Sequence, residues 1–464
     1  MTTQPEPRKP SRNKVVIVGA GIGGLTLGGL LERAGIDYVI LERSQKASPL
    51  GSAISVGSNV LQVFQQLGIA DKIKANSKTM EETNHYNEKG ELLCRRSFRW
   101  RAARYGEAGY FLARPVLHEL LASLIPTEKL KMGTKVVSII QDKDGVTVNC
   151  DNGSTYRGDI LVGADGARSS VRRSLFEQLD REGLLPESDK GELEFTNTCI
   201  VGTTNPMDPE KYPFHKKNDT HYVVVMDDKI PFTVGLAKYD DRPADNKICW
   251  MVMEHLEEGA NQSRDGSQNL EWGAGAAETM CDRIRDYPFT EGISVGDLID
   301  QTPKGQISKV MLEEKLFETW YHSRTVLLGD ACHKMHPAAG LGAVNAIHDA
   351  TVLSSWLFEL ESNGECTFEQ AFRAYKEERY PRAAHSFNTS RGMSKTANRR
   401  WFSGIVRKVF FYMPNWVVIK IVDQMEEYRP QASFLPLVPD KGSLRPIPQE
   451  SLKLAEKHML AQAL

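Results

Sequence analysis

A glycine-rich stretch near the start of the chain has the spacing of a phosphate-binding turn. Its glycines are Gly19, Gly21 and Gly24, and they follow the apolar run Lys14–Val18, which predicts a buried strand. The first glycine permits a tight turn, the second lets the backbone approach a pyrophosphate, and the third lets the next helix pack closely. Glu42 ends the next predicted strand, where a ribose hydroxyl needs an acceptor. The pattern predicts a dinucleotide site but does not choose between NAD and FAD.

Two distant segments carry a second and a third motif. The second, GADGARSSVR at 163–172, contains Asp165-Gly166. The third, LGDACHKMHP at 328–337, contains Gly329-Asp330 and is continued by GLGA and AIHDA. These motifs resemble the fingerprints of the class A flavoprotein monooxygenases, the para-hydroxybenzoate hydroxylase type, and occur in that family's order. The resemblance spans roughly residues 14–440.

The resemblance implies FAD as the cofactor and assigns a set of contacts to it. Asp330 follows a strand and can accept a hydrogen bond from a ribitol or ribose hydroxyl, while Gly340 and Gly342 leave room for a flat ring. A helix that begins near Ala343 would aim its positive end at the flavin. The predicted cofactor-binding residues are Gly19, Gly21, Gly24, Glu42, Arg43, Ser55, Arg114, Asp165, Asp330, Pro337, Gly340, Gly342 and Ala343.

Three positions in these motifs admit a second interpretation or depart from the family pattern. Asp165 could instead cap a turn or a helix, because Asp-Gly is common in turns. Leu341 stands where the family usually has Gln, and Asn345 lies one position later than usual. We therefore expect backbone rather than side-chain contacts to the flavin at the last two positions.

The family resemblance also implies a reaction. NAD(P)H reduces FAD, O2 adds at the flavin C4a carbon, and the hydroperoxide gives one oxygen atom to an apolar aromatic or prenylated small molecule by hydroxylation or epoxidation. No second G-x-G-x-x-G follows a predicted strand, so NAD(P)H is expected to dock transiently. Two alternatives remain, a flavin-dependent reductase or dehydrogenase on the same fold and a non-catalytic flavin-binding protein.

One candidate proton donor and one candidate metal cluster stand outside the cofactor set. Tyr222, on a predicted strand, could face the substrate, although an ordinary sheet tyrosine is the commoner case. His333, His336 and His348 lie close together in sequence, but they fall within the third motif, so we expect no metal site.

These residues require a fold that brings the ends of several strands together. The alternation of apolar strands and helices predicts an α/β fold with an inserted antiparallel β-sheet domain and a helical C-terminus. The family resemblance implies that the α/β part is a glutathione-reductase-like FAD-binding Rossmann domain and that the inserted sheet is the substrate domain. The domain boundaries predicted from the sequence are a disordered tail at 1–13, an FAD-binding domain at 14–75, 105–175 and 310–395, a substrate domain at 76–104 and 176–309, and a helical segment at 396–464.

The end of the chain adds a narrower resemblance and one open question. The segment YRPQASFLP at 428–436 is similar to one in fungal monooxygenases of secondary metabolism, which include epoxidases of prenylated indoles and meroterpenoids. Residues 401–425 mix apolar and basic side chains, which suits a peripheral membrane helix pair. We favour the alternative, a C-terminal helix packed on the body of the protein, because such stripes usually lie in the core.

Composition limits the partners and the compartment. The 58 Lys and Arg against 60 Asp and Glu give a net charge of -2, so nothing predicts a nucleic-acid partner. Seven cysteines without a C-x-x-C pair are typical of a reduced intracellular protein. We therefore expect a cytoplasmic enzyme; composition leaves its oligomeric state open.

Overall fold

The computed structural model describes most of the chain. The described residues are 11–46, 53–87, 89–191, 193–212, 219–220, 222–226, 232–237, 247–255, 274–290, 293–397 and 412–454. Residues 1–10 of the predicted tail, most of a loop predicted at 257–275, and residues 398–411 lie outside them. The Asn13 side-chain amide donates to Glu361 Oε2 at 3.0 Å and holds the end of the predicted tail against the protein. Residues 11–13 therefore differ from the disordered tail predicted at 1–13.

The strands and helices of the described residues are numbered in chain order. The strands are β1 (Lys14–Val18), β2 (Asp37–Leu41), β3 (Ala53–Val56), β4 (Lys78–Thr79), β5 (Glu82–Asn87), β6 (Leu92–Ser97), β7 (Tyr110–Ala113), β8 (Leu130–Lys131), β9 (Val136–Gln141), β10 (Val146–Cys150), β11 (Thr155–Gly158), β12 (Ile160–Gly163), β13 (Glu194–Thr203), β14 (Tyr222–Met226), β15 (Phe232–Ala237), β16 (Lys247–His255), β17 (Pro288–Thr290), β18 (Ile293–Ser294), β19 (Ser308–Leu316), β20 (Tyr321–His322), β21 (Thr325–Leu327) and β22 (His333–Lys334). The helices are α1 (Ile22–Ala34), α2 (Ser58–Leu67), α3 (Ala70–Ala75), α4 (Arg101–Tyr105), α5 (Arg114–Ala122), α6 (Ser170–Arg181), α7 (Glu187–Lys190), α8 (Ala274–Ile284), α9 (Val295–Asp300), α10 (Gly342–Ser362), α11 (Phe368–Ala397) and α12 (Asn415–Glu426).

The first sheet is mostly parallel and has the strand order β20-β21-β12-β1-β2-β8. Its central strands consist almost entirely of buried apolar residues, as expected for a parallel sheet that is covered on both faces. In register, Val18 of β1 lies beside Gly163 of β12, which lies beside Leu327 of β21. The first and third motifs follow Val18 and Leu327 directly, and the second motif begins at Gly163. The three motifs therefore lie together at one edge of the sheet, at the carboxyl ends of its strands. The predicted Rossmann-like α/β fold is confirmed.

A second sheet of eight strands has the order β22-β19-β13-β16-β15-β14-β5-β6. All its neighbours are antiparallel except β14 and β5, which run parallel. The sequence predicted β13 to β16 but missed β5 and β6, because ETNHYN and LLCRRS lack the alternation of apolar residues that marks a strand. β19 also joins this sheet, although most of it falls in the 310–395 range predicted for the FAD-binding domain.

Helices dominate the chain after β22, as predicted, and the described chain then becomes irregular. α10 packs on α1 and α11, and α12 follows after the stretch outside the described residues. Between Glu427 and Gln449 the chain has no helix or strand, which is a difference from the helical segment predicted at 396–464. None of the helices in the described ranges is both long and apolar enough to cross a membrane.

Candidate functional site

The glycine turn after β1 has a geometry that only glycine tolerates. Gly19 has a φ of +108°, and a Cβ built on it would lie 2.4 Å from the carbonyl oxygen of Ala164. A Cβ on Gly24 would lie 2.1 Å from the carbonyl oxygen of Gly19, so α1 packs directly on the turn. Gly21 precedes α1, and a Cβ on it would meet only the carbonyl oxygen of Ala164, at 4.0 Å. The first N–H groups of α1 are therefore accessible to a phosphate.

The carboxylate of Glu42 lies against this turn. Its Oε2 accepts from the Ala20 backbone N–H at 2.9 Å, and its Oε1 accepts from the Ser44 N–H at 2.8 Å. Arg43 beside it is exposed. On the other side of the turn, His118 Nε2 lies 2.8 Å from the Ala20 carbonyl oxygen and donates to it. His118 was not among the residues predicted from the sequence, although its position four residues after Arg114 places both side chains on one face of α5.

Asp165 at the second motif is engaged within its own segment. Its carboxylate accepts from the Ser169 hydroxyl at 2.5 Å, from the Ser170 N–H at 2.6 Å and hydroxyl at 2.8 Å, and from the Val171 N–H at 3.2 Å. These bonds cap the first turn of α6. The alternative role of Asp165 as a helix cap is thus present in the structure, and its contact with FAD stays a prediction.

Arg172, the last residue of the second motif, joins it to the third. It is buried, and its guanidinium donates to the carbonyl oxygen of Ala331 at 2.9 Å and to that of Ala167 at 2.5 Å. The guanidinium carbon also lies 4.4 Å from the centre of the Phe317 ring. One buried arginine therefore fixes the relative positions of two motifs that are far apart in sequence.

Asp330 in the third motif carries a negative charge at the sheet edge. It follows Gly329, which has a φ of +62°, and its Oδ2 accepts from Lys334 Nζ at 2.7 Å. Burial acts to raise the pKa of Asp330, but Lys334, with smaller contributions from other cations including Arg114, lowers it below the ordinary value. An ionised carboxylate only accepts hydrogen bonds, which is what a cofactor hydroxyl requires.

The start of α10 leaves space for a flat group. Gly340 is exposed with a φ of +66°, and nothing lies within 4 Å of a Cβ built on it. Gly342 begins α10, and a Cβ there would meet only a methionine side chain at 4.0 Å. Ala343 and Pro337, on either side, are half-buried. The helix N-terminus is therefore open on the side that the sequence predicts for the flavin.

The two departures from the family pattern, Leu341 and Asn345, both have buried side chains. Leu341 is buried among apolar side chains. Asn345 is also buried, donating to the Leu341 carbonyl oxygen at 3.0 Å and accepting from Arg379 at 2.9 Å. Both Asn345 side-chain groups are thus engaged inside the protein, and contact with the flavin at these positions is still predicted to be through the backbone.

Ser55, Arg114 and Tyr222 lie around β7. Ser55 pairs with Phe111 across β3 and β7, and Arg114 follows β7 at the start of α5, where it is exposed. Tyr222 belongs to the second sheet, and its ring lies 5.6 Å from that of Phe111, edge to face. Cys249 completes this apolar contact. β7 is therefore the place where the second sheet meets the predicted cofactor site.

The arrangement of these groups fits FAD. Strands in a sheet lie about 4.8 Å apart, so the ends of β2 and β21, three spacings apart, are separated by roughly 14 Å. Glu42 supplies an acceptor at one end of this span and Asp330 at the other, with the glycine turn between them. A dinucleotide laid along the edge would have its phosphates at α1 and a hydroxyl-bearing chain at each acceptor. The open space at Gly340 would then lie where the sequence predicts the flat ring.

Comparisons with known proteins identify the family of this chain. The family described as "FAD binding domain" matches residues 12–227 and 293–390. The FAD-dependent monooxygenase paxM of Penicillium paxilli is 31% identical over 388 residues, 82% of this chain and 77% of that protein. The FAD-dependent monooxygenase ptmM of Penicillium ochrochloron is 28% identical over 412 residues, 86% of this chain and 92% of that protein.

Solved structures share the fold. HpxO of Klebsiella pneumoniae, complexed with FAD and uric acid, superposes with a TM-score of 0.68 at 20% identity, covering 89% of this chain and 96% of that one. The 2,6-dihydroxypyridine-3-hydroxylase of Arthrobacter nicotinovorans gives a TM-score of 0.65 at 16% identity, covering 84% and 94%. The resemblance recognised from the three motifs is confirmed. The chain belongs to the FAD-binding-domain flavoproteins and is an FAD-dependent monooxygenase.

Proposed function

We propose that this monooxygenase uses NAD(P)H and O2 to hydroxylate or epoxidise an apolar aromatic or prenylated small molecule. The observation that carries the proposal is the position of β7. At this strand an apolar face of the second sheet meets the edge of the first sheet where FAD is predicted to bind. The two fungal relatives, both FAD-dependent monooxygenases, support the oxygen transfer. The similarity of residues 428–436 to enzymes of prenylated indoles supports the substrate class.

The residues of the strand edge hold and orient the cofactor. When bound, FAD supplies the electron transfer and oxygen activation that amino acid side chains lack. Glu42 and Asp330 accept hydroxyl hydrogen bonds, and the N-terminus of α1 binds the pyrophosphate. The N-terminus of α10 places its positive end beside the ring, where it stabilises negative charge. Arg43, Ser55, Arg114, Asp165 and Pro337 are further proposed contacts.

The second sheet supplies the substrate side. Phe111, Ala113 and Cys249 are buried, and with Tyr222 they form a small apolar cluster beside β7. We propose that this cluster lines the substrate site. Such a lining excludes water and favours an apolar substrate. Tyr222 is the one hydroxyl in this group, and we propose it as the proton donor to the substrate.

The sequence pattern favoured packing of this segment on the body of the protein, but the exposure of α12 leads us to propose instead that it contacts a membrane surface from which an apolar substrate is taken. Trp416 at the start of this helix is 68% exposed, whereas Glu426 at its end is buried and paired with Arg101. Exposed aromatic residues next to Lys420 suit a headgroup region. Flotation with phosphatidylcholine vesicles, with and without phosphatidylserine, tests this. Trp416→Ser should reduce binding, and protein that ignores both vesicle types would contradict the contact.

The reaction is tested with purified, FAD-loaded enzyme. Anaerobic addition of NADPH or NADH should bleach the flavin, and a panel of prenylated indoles and aromatic compounds should give oxygen uptake. Mass spectrometry of products formed under 18O2 should find one labelled oxygen atom. Bleaching with substrate turnover but no label would support the reductase or dehydrogenase alternative. Absence of bleaching with either nucleotide across the whole panel would support a non-catalytic flavin-binding protein.

A further inference from the structure

A cluster of three buried side chains lies directly behind the turn that carries Asp330. Asp349 of α10, Arg379 of α11 and His333 of β22 each have a fully buried side chain. Asp349 Oδ1 accepts from Arg379 Nε at 2.8 Å, and Asp349 Oδ2 accepts from His333 Nε2 at 2.5 Å. Arg379 compensates the buried charge of Asp349, as burial of an ion demands.

Asp349 holds both ends of the loop formed by residues 329–333. Besides its contact with His333, Oδ2 accepts from the Gly329 backbone N–H at 2.8 Å. Asp330 lies between these two attachment points, one residue after the first. The direction of its carboxylate is therefore set by a loop that a single buried carboxylate clamps at its start and its end.

Arg379 ties the same cluster to the N-terminus of α10. It donates to the side-chain oxygen of Asn345 at 2.9 Å, within one turn of Gly342, where α10 begins. One turn earlier on α11, the Tyr375 hydroxyl donates to the Leu327 carbonyl oxygen at 3.1 Å, at the end of β21. The cluster thus connects the two elements predicted to face the flavin and ribityl parts of FAD.

A metal ion is a poorer account of the same side chains. The ligand atoms of Cys332, His333 and Asp349 lie within 4.8 Å of one another. Both Asp349 oxygens are already used, however, and the guanidinium of Arg379 supplies the positive charge. Burial also raises the pKa of the Cys332 thiol well above its ordinary value, which disfavours the thiolate that a metal requires.

We propose that Asp349 is a positioning residue for FAD, which acts by holding the 329–333 loop so that Asp330 meets a cofactor hydroxyl. Asp349 itself is buried behind the loop and does not touch the cofactor. The inference rests on FAD binding and not on oxygen transfer, so a failure of the proposed reaction would leave it standing.

A double-mutant cycle on FAD affinity tests the proposal. Dissociation constants are measured by flavin fluorescence quenching with apoprotein for the wild type, Asp349→Asn, Asp330→Asn and the double variant. Asp349→Asn should weaken FAD binding by roughly tenfold or more, and the double variant should bind within roughly twofold of Asp330→Asn alone. Equal affinity of Asp349→Asn and wild type, or losses that multiply in the double variant, would overturn the proposal.

Asp349→Asn leaves the buried Arg379 without its anion, so this variant could fail to fold. A second variant keeps the test valid in that case. His333→Asn removes the attachment at the far end of the loop, together with a ring contact to Trp320, and keeps the Asp349–Arg379 pair. The same cycle with Asp330→Asn should again be non-multiplicative, and independent losses would count against the clamp. Thr351→Val, whose hydroxyl donates within α10 to Ile347 at 2.7 Å, is the matched control and should leave FAD affinity unchanged.

Discussion

The Ala20 backbone N–H donates a hydrogen bond to Oε2 of Glu42 at 2.9 Å, which ties the glycine turn after β1 to the end of β2. The second oxygen of the same carboxylate is fixed by Ser44. Two neighbouring parallel strands thus deliver a phosphate-binding turn and a hydroxyl acceptor to one place. The contact therefore holds the turn and the acceptor in place without the cofactor.

Glu42 and Asp330 are the two carboxylates predicted to accept hydrogen bonds from cofactor hydroxyls. Removal of either one should produce protein that purifies largely without yellow colour. Hydrogen bonds to charged groups contribute roughly 1.5–3 kcal/mol, so Glu42→Ala and Asp330→Ala should each weaken FAD binding about 10- to 100-fold. Equilibrium dialysis of apoprotein against FAD measures the loss. Glu32→Ala is the control, because Glu32 pairs with Lys129 at 2.7 Å at the other end of α1. Full flavin content in both test variants would refute this placement of the cofactor.

Gly19→Ala should destabilise the protein more than Gly153→Ala. Both glycines have a positive φ, for which a side chain costs roughly 1–2 kcal/mol. A Cβ on Gly153 meets nothing within 4 Å, whereas a Cβ on Gly19 would lie 2.4 Å from a backbone oxygen. Urea unfolding of the two apoprotein variants measures the loss of unfolding free energy in each. The difference between the two losses is the cost of the steric clash, because both variants share the cost of a side chain at positive φ. Equal losses of unfolding free energy would mean that the turn can shift to relieve the clash.

Tyr222→Phe should slow oxygen transfer without affecting the cofactor. A positioned proton donor contributes roughly 10²- to 10⁴-fold to rate. The rate of product formation should therefore fall by roughly 10²-fold or more, while FAD affinity and flavin reduction by NAD(P)H stay unchanged. Tyr86→Phe is the control, since Tyr86 lies on the neighbouring strand β5 but packs in the separate core around Trp250. An unchanged rate in Tyr222→Phe would leave Tyr222 as an ordinary sheet residue.

His348 should make stability fall as the pH drops below about 6.5. Burial, and then the charge of Arg379, lower the pKa of His348 from 6.5 to about 3. At pH values between these two pKa values, the unfolded chain therefore binds a proton at His348 that the folded protein does not bind, so acid favours unfolding. Between pH 7 and pH 5 this one group should cost about 2 kcal/mol.

The corresponding experiment compares urea unfolding at the two pH values. His348→Gln should lose less stability between pH 7 and pH 5 than the wild type. The exposed residue His385 provides the control, and His385→Gln should keep the wild-type loss. Identical pH dependence in His348→Gln and wild type would argue that the imidazole already titrates normally in the folded protein.

The sequence by itself identified the cofactor and the motifs that are predicted to bind it. Gly19, Gly24 and Gly329 are required by local backbone geometry, and the apolar strands that precede the motifs are also local features. A motif of this kind can be recognised from a few consecutive residues because its physical cause lies within those residues. Its order along the chain then sufficed to identify the family.

Only the tertiary structure decided how the motifs are held together. Arg172 reaches Ala331 across 159 positions, and Arg379 reaches Asp349 across 30. Asp165 was recognisable, but its role as a helix cap became clear only from the position of α6. Such contacts depend on which surfaces pack against each other, and a buried ion pair leaves no periodic pattern in the sequence. The polar strands β5 and β6 were missed for the same reason, since β14 supplies the pairing that makes them strands.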